Sequence, residues 1–134
     1  MTYRRRASRI GAFDVWLAFV YGVAIFVMGS LPSGPASTQL ISDKLLHFVG
    51  FGLLAALWCR ALVKLWPDVA LRWVLLGGFT VSVLLGGALE LWQAVLSYRT
   101  CEFLDWIADA LGAAVGAALC GGIMLASKTR TRIS

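Results

Sequence analysis

Charged residues are scarce in this chain of 134 residues, because Asp, Glu, Lys and Arg together make up only 14% of it. In soluble domains about a quarter of the residues are charged. Hydrophobic residues make up 60% of the sequence, which is more apolar surface than a soluble domain of this size could bury. The composition therefore excludes an ordinary soluble domain and indicates an integral membrane protein.

Cysteine is also rare, and its spacing carries no motif. The three cysteines, Cys59, Cys101 and Cys120, match neither a zinc site nor a redox pair. A disulfide framework is therefore not expected. Cys101 is the one cysteine that the topology below puts on the outer side, where it is either free or links two copies of the chain.

Four apolar runs are long enough to cross a bilayer, which takes about 20 residues. They cover roughly 13–31, 45–66, 71–96 and 103–126. The first run exceeds the apolar core of a signal peptide, about 7–15 residues, so we expect a retained helix and not a cleaved secretory signal. No repeat or second domain is visible. The prediction is an all-α polytopic membrane protein, a four-transmembrane-helix bundle that forms a single domain over residues 1–134.

The basic residues divide unequally between the two sides of such a bundle. The net charge is +5, but the basic residues lie in short clusters between the apolar runs, which indicates membrane topology and not nucleic-acid binding. One side carries Lys44 and Arg99. The other side carries ten basic residues, namely Arg4, Arg5, Arg6, Arg9, Arg60, Lys64, Arg72, Lys128, Arg130 and Arg132. Because basic segments are retained in the cytoplasm, both termini are expected there.

Polar side chains from three predicted spans fall at the outer level of the bundle. Spans three and four are joined by a short connection, about 97–101, so they are expected to be antiparallel neighbours. Glu90 and Asp109 each lie nine to ten residues from the centre of this connection. At 1.5 Å per residue, both should lie at the same depth, about 10 Å below the outer boundary. Clustered ionisable residues inside a membrane predict a functional site. The candidate ligand-binding residues are Asp43, Lys44, His47, Glu90, Gln93, Arg99, Asp105 and Asp109.

The predicted pocket is rich in acids, which suits hydroxyl groups, amines or a cation better than a bare phosphate. Glu90 and Asp109 are the candidate catalytic pair, because a proton shared between two carboxylates permits acid–base chemistry. The alternative is a purely structural role. In that case Lys44 and Arg99 fasten the bundle through neighbouring carboxylates, and His47 is a packing residue.

No metal site and no cofactor is predicted. His47, Glu90, Asp105 and Asp109 are ligand types that suit a divalent ion. However, they are not joined in a local motif such as H-E-x-x-H, so the signal is weak.

Two glycines of the fourth span, Gly112 and Gly116, are four residues apart and lie on one helix face. This small-xxx-small pattern lets helix backbones approach closely in lipid. We predict that both glycines serve helix packing.

These motifs together resemble the VanZ-like family of small bacterial membrane proteins. The resemblance rests on Asp43-Lys44-x-x-His47-x-x-x-Phe51 in span two and Glu90-x-x-Gln93 in span three. In span four it rests on Arg99 followed by Asp105-x-x-x-Asp109-x-x-Gly112-x-x-x-Gly116. One departure is Asp109, which stands where many members carry asparagine. The resemblance implies a location in the bacterial inner membrane, with a role at its outer face. The family is named after a protein linked to low-level resistance to the lipoglycopeptide teicoplanin.

The leading hypothesis is a protein that binds or helps modify an amphiphile at the outer leaflet. The partner would be a membrane lipid, a lipid-linked envelope molecule or a lipoglycopeptide. One alternative is a membrane-embedded hydrolase or transferase, although no nucleophile motif supports it, so whether the protein is an enzyme stays open. Another is a non-catalytic subunit that packs through Gly112 and Gly116 against a second copy or a larger membrane partner.

Overall fold

The computed structural model describes the backbone of residues 2–32 and 40–133 and the side chains of residues 11–32 and 43–127. Within these ranges the chain is all-helical and has no strand. The helices are α1 (Thr2–Ser30), α2 (Leu40–Leu65), α3 (Leu71–Gln93) and α4 (Phe103–Ile133). Each contains a segment long and apolar enough to cross a membrane, namely Gly11–Ser30, Asp43–Leu65, Leu71–Gln93 and Phe103–Ser127. The prediction of an all-α chain with four spans is confirmed.

The connection between α2 and α3 is short because of Pro67. Proline lacks a backbone N–H and disfavours helical geometry in the residue before it. Accordingly α2 ends at Leu65, and α3 begins at Leu71. Both limits agree with the sequence prediction to within one residue.

The end of α3 was predicted wrongly. The third span was expected to run to residue 96, but α3 ends at Gln93, and residues 94–102 form a connection of successive turns. In these turns the N–H groups of Val95, Leu96 and Arg99 each donate to the carbonyl three residues earlier. Such bonds tighten the chain and end the regular helical pattern. The connection is therefore nine residues long, and Glu90 lies in the last turn of α3.

The helices alternate in direction. Near its start, α1 lies against the end of α2, where Gly11 contacts Leu65. Near its end, α1 lies against the end of α3, where Gly29 contacts Leu89. The end of α1, the start of α2 and the α3–α4 connection therefore lie at one end of the bundle, here called the hairpin end. The α2–α3 connection lies at the opposite end.

The most extensive helix–helix contact is between α2 and α4. A Cβ atom on Gly112 would overlap the carbonyl oxygen of Phe48, and a Cβ atom on Gly116 would overlap that of Gly52. The two backbones are thus in direct contact, which only glycine allows. Within the described residues this seam is occupied by α2, so it leaves no room for a second chain.

Next to this seam, the core consists of two small clusters. One lies towards the opposite end of the bundle and contains Cys59, Val74 and Ala117. The other lies towards the hairpin end. It centres on Phe51, Leu54 and Leu89, which are at most 1% exposed. Large apolar side chains on the outside of the bundle are exposed instead, for example Leu84 at 68% and Ile123 at 73%. This inversion of the usual pattern fits a surface that faces lipid tails and not water.

Candidate functional site

Lys44 links α2 to the beginning of α4. Its Nζ atom donates to Glu102 Oε2 and to Asp105 Oδ1, both at 2.7 Å. Asp105 is buried, with 6% of its side chain exposed, whereas Lys44 and Glu102 keep about a third of theirs exposed. The sequence had raised this pairing as the structural alternative. Lys44 is therefore committed to two carboxylates at the surface of the hairpin end.

One turn deeper on α2, His47 meets Asp109 of α4. His47 Nδ1 lies 2.8 Å from Asp109 Oδ1, so the imidazole donates a hydrogen bond to the carboxylate. The side chain of Asp109 has no exposed surface, and that of His47 is 8% exposed. The other oxygen of Asp109 points at α3, because a Cβ atom on Gly86 would lie 2.5 Å from Oδ2. The absence of a side chain at Gly86 therefore makes room for the buried carboxylate.

Glu90 does not lie opposite Asp109, contrary to the predicted match in depth. Asp109 is level with Gly86, and Glu90 is one turn nearer the hairpin end on the same face of α3. The physical reason is the early end of α3. Glu90 Oε2 consequently accepts a hydrogen bond from the backbone N–H of Glu102, at 3.0 Å, just before α4 begins. Even so, Glu90 and Asp109 come together, because ligand atoms of both lie within 4.8 Å of each other and of His47.

At the hairpin end, two buried carboxylate oxygens have no hydrogen-bond partner among the described residues. They are Glu90 Oε1 and Asp109 Oδ2. Glu90 is 4% exposed and Asp109 is fully buried. An unpaired carboxylate oxygen away from water is costly, because the protein offers nothing in place of hydration. These two oxygens are therefore the atoms of the site whose hydrogen-bonding capacity is unused.

Gln93 and Arg99 both bind the end of α1. Gln93 Nε2 donates to the carbonyl of Gly29 at 2.8 Å, and Arg99 Nε donates to that of Leu31 at 2.9 Å. The guanidinium also lies 3.8 Å from the carboxylate of Asp43. These two side chains satisfy carbonyls that the end of a helix leaves free. They hold α1 in place beside the site.

A cavity of about 360 Å³ lies between α1 and α2 and reaches this polar region. Asp43, His47 and Arg99 line its polar end. The rest of its wall is apolar or small, being formed by Tyr21, Ala24, Ile25, Met28, Gly29, Leu46, Gly50, Phe51 and Leu89. The cavity is therefore amphipathic and has the size of a small-molecule site. Of the apolar wall, only Phe51 had appeared in a sequence motif, because the other residues look like ordinary membrane-facing positions.

A second, larger cavity of about 480 Å³ is lined by α1, α3 and Trp58 of α2. Its wall consists of apolar residues and glycine throughout, including Phe19, Val27 and Leu84. A purely apolar groove on a membrane bundle suits lipid tails. It offers no group that would orient a polar ligand.

At the opposite end of the bundle, Asp14 forms an ion-pair cluster that the sequence reading missed. Asp14 is 2% exposed, and its two carboxylate oxygens pair with Arg60 at 2.5 Å and with Lys64. In the sequence analysis Arg60 and Lys64 served only to assign the membrane topology, and no partner was predicted for either. The spacing of Arg60 and Lys64, one helical turn apart, was the available signal, since it places both on one face.

Cys101 lies exposed in the connection between α3 and α4. Partial desolvation raises the pKa of its thiol above the usual value, and the nearby carboxylate of Glu90 adds to the rise. A raised pKa keeps the thiol protonated at neutral pH, which makes it a poor nucleophile. The raised pKa of Cys101 therefore gives no support to a thiol nucleophile.

All eight residues predicted for the pocket lie at the hairpin end, in three adjoining arrangements. The surface ion-pair cluster contains Lys44 and Asp105. The buried cluster contains His47, Glu90 and Asp109. The remaining three residues contact the end of α1 or each other, namely Asp43, Gln93 and Arg99.

Comparison with known proteins bears on the family to which the chain belongs. No curated protein and no solved structure matches the chain. A family model described as VanZ/LLP1 matches residues 6–125, a range that contains the membrane-spanning part of α1, all of α2 and α3, and every residue of the candidate site. Since this match covers most of the sequence, the chain belongs to the VanZ/LLP1 family.

Proposed function

We propose that the protein binds an amphiphile at the outer leaflet of the bacterial inner membrane. The supporting observation is the cavity between α1 and α2, which joins a polar end to an apolar wall. A ligand with a polar headgroup and an acyl chain matches both parts. Membrane lipids, lipid-linked envelope precursors and lipoglycopeptides share this chemistry, so a part in teicoplanin-type resistance falls within the proposal.

The charges at the polar end favour a headgroup that carries both signs. Asp43 offers a carboxylate to an amine or hydroxyl group, and 37% of its side chain is exposed. Arg99 offers a guanidinium, which suits a phosphate oxygen. His47, at the inner edge of the polar end, can orient the headgroup by a hydrogen bond. Phosphatidylethanolamine, which has an ammonium and a phosphate, is the probe that fits best.

The proposed orientation follows from the unequal distribution of basic residues. The hairpin end would face outwards, with both termini in the cytoplasm, because ten of the twelve Lys and Arg residues belong to the other side. The polar end of the cavity would then lie at the level of the outer headgroups.

Filling the cavity tests the proposal. Gly50 lines the cavity, and a Cβ atom there would have only ordinary contact with Ile25, at 3.7 Å. Gly50→Leu should therefore fold, occupy the cavity and reduce binding of phosphatidylethanolamine by at least about tenfold. Gly122→Leu is the matched control, because a Cβ atom on Gly122 has no neighbour within 4 Å. Binding is measured by native mass spectrometry of the purified full chain.

Equal lipid binding by the wild type, Gly50→Leu and Gly122→Leu would show that the cavity is not the binding site. A parallel titration with teicoplanin distinguishes a lipid headgroup from a lipoglycopeptide as the ligand. If Gly50→Leu weakens the binding of teicoplanin but not that of phosphatidylethanolamine, the ligand of the cavity is the lipoglycopeptide.

The unpaired carboxylate oxygens of Glu90 and Asp109 favour a second candidate, a hydrolase or transferase that uses them as an acid–base pair. A test for turnover distinguishes an amphiphile-binding protein from a hydrolase or transferase. Lipid extracts from cells with the wild type and with Glu90→Gln would differ in a covalently altered species only if the protein is an enzyme.

A further inference from the structure

We propose that His47, Glu90 and Asp109 form a binding site for a divalent transition-metal ion. Each residue supplies one possible ligand atom, and these atoms all lie within 4.8 Å of one another. Ligands about 2.1 Å from a tetrahedral ion are about 3.4 Å apart, so small side-chain movements bring the three atoms to ligand distance. The three residues come from α2, α3 and α4, so an ion there would join three helices.

The unpaired oxygens are the observation that calls for a cation. Glu90 Oε1 and Asp109 Oδ2 are buried and lack a hydrogen-bond partner among the described residues. Each carboxylate is already fixed through its other oxygen, by the N–H of Glu102 and by His47 respectively. Both carboxylates are therefore held in position, and each keeps one buried oxygen without a hydrogen-bond partner. A metal ion bound through one oxygen of each carboxylate would neutralise both groups at once.

The basic side chains of the hairpin end do not pair with the unpaired oxygens of Glu90 and Asp109. Lys44 donates to Glu102 and Asp105, and Arg99 donates to Leu31 and faces Asp43. Both cations are thus directed at other groups. The buried cluster keeps two carboxylates and an imidazole with no Lys or Arg partner among the described residues.

A second set of ligand types, Asp43, His47 and Asp105, has similar spacing but a different charge environment. Asp105 lies 2.7 Å from the ammonium of Lys44, and Asp43 lies 3.8 Å from the guanidinium of Arg99. These cations occupy the carboxylates and repel a divalent ion. The buried set is therefore the one that we assign.

The ligand types indicate the class of metal. One imidazole nitrogen and two carboxylates suit zinc and its neighbours in the first transition row better than calcium or magnesium, which prefer oxygen ligands only. Three protein ligands leave a position free on a four-coordinate ion. Since His47 also lines the amphipathic cavity, that position is suited to an oxygen of a headgroup phosphate.

Metal analysis of the purified full chain tests the proposal. The protein is stripped with a chelator, dialysed against zinc chloride alone in detergent, and analysed by inductively coupled plasma mass spectrometry. The wild type should retain a single equivalent of zinc. Glu90→Gln and Asp109→Asn should weaken binding by at least about tenfold, since even the loss of an outer-shell partner costs that much. Glu102→Gln is the matched control, because Glu102 is at the same end but contributes only its backbone to the cluster.

Thermal unfolding gives a second readout that does not depend on the variants. A ligand that binds the folded state raises its Tm, so zinc should raise the Tm of the wild type and EDTA should reverse the rise. The absence of both retained zinc and a Tm shift in the wild type overturns the proposal. Equal zinc retention by the wild type, Glu90→Gln and Asp109→Asn also overturns it.

The metal proposal does not rest on amphiphile binding. A wild type that binds phosphatidylethanolamine but no zinc disproves the metal site alone. A wild type that binds zinc but shows no effect of Gly50→Leu on lipid binding disproves the amphiphile cavity alone.

Discussion

Single side chains at the two ends of the bundle differ in how replaceable they are. The buried carboxylate of Asp105 has one cationic partner among the described residues, Lys44. The buried carboxylate of Asp14 has two, Arg60 and Lys64. Removal of Lys44 therefore leaves Asp105 without a cationic partner among the described residues. Removal of Arg60 leaves Asp14 paired with Lys64.

This difference predicts unequal losses of stability. Lys44→Met should lower the free energy of unfolding by about 2–3 kcal/mol, less than for a fully buried pair because Lys44 is partly exposed. Arg60→Met should cost about 1 kcal/mol or less, because Lys64 still neutralises Asp14. Reversible unfolding in mixed micelles, followed by circular dichroism, measures both. Equal losses for the two variants would contradict the assignment of partners.

At the residue scale, the sequence predicted which side chains gather but not how they pair. Helical spacing placed Asp43 and His47 on one face and Glu90 and Gln93 on another. Hydrogen-bond partners depend on the relative rotation and depth of neighbouring helices, which periodicity does not encode. Gln93 shows this clearly, because it binds a carbonyl of α1, a helix that the sequence had not connected with the site.

Close backbone contact is the feature that decides how α2 and α4 pack. At Gly112 and Gly116 a Cβ atom would overlap carbonyl oxygens of α2, and such oxygens cannot move without moving the helix. The small-xxx-small pattern predicted this type of contact. It did not identify α2 as the partner, because a helix face of small residues fits any neighbour.

Alanine substitution should therefore have very different effects along α4. Gly112→Ala should cost about 3 kcal/mol or more, since the helices must separate and the His47–Asp109 bond beside the seam must lengthen. Gly122→Ala should change stability by less than about 0.5 kcal/mol, because its position is open. Unfolding in mixed micelles provides the comparison. A Gly112→Ala variant as stable as Gly122→Ala would mean that the seam is looser than described.

The helix boundaries beside Pro67 were predicted well. The end of α3, where the chain enters a series of turns, was predicted poorly. The limits around Pro67 agree with the structure, whereas α3 ends three residues before the predicted position. The reason is that residues 94–102 contain no proline or glycine to mark the end of the helix. Tertiary hydrogen bonds from the connection to α1, such as that of Tyr98 to Ser30, compete with further helix formation.

At the scale of the whole molecule, the account depends on which surface of the membrane the hairpin end faces. Composition and helix length establish the number of spans in the described residues. They do not distinguish a bundle whose hairpin end faces outwards from one whose hairpin end faces the cytoplasm. Only the distribution of basic residues selects one of them. The proposed access to outer-leaflet amphiphiles follows from that choice.

Labelling of a single cysteine in intact cells tests this central claim most directly. Cys101 is exposed at the hairpin end, so a chain with Cys59→Ala and Cys120→Ala carries one reporter there. The matched control adds Cys101→Ser and Asp68→Cys, which moves the reporter to the exposed α2–α3 connection. Because the pKa of Cys101 is raised, labelling is performed at mildly alkaline pH, where more of the thiol is ionised. If the hairpin end faces outwards, a membrane-impermeant maleimide should label Cys101 in intact cells and should label the Asp68→Cys chain only after permeabilisation. The reverse pattern would place the amphipathic cavity at the cytoplasmic surface and contradict the proposed function.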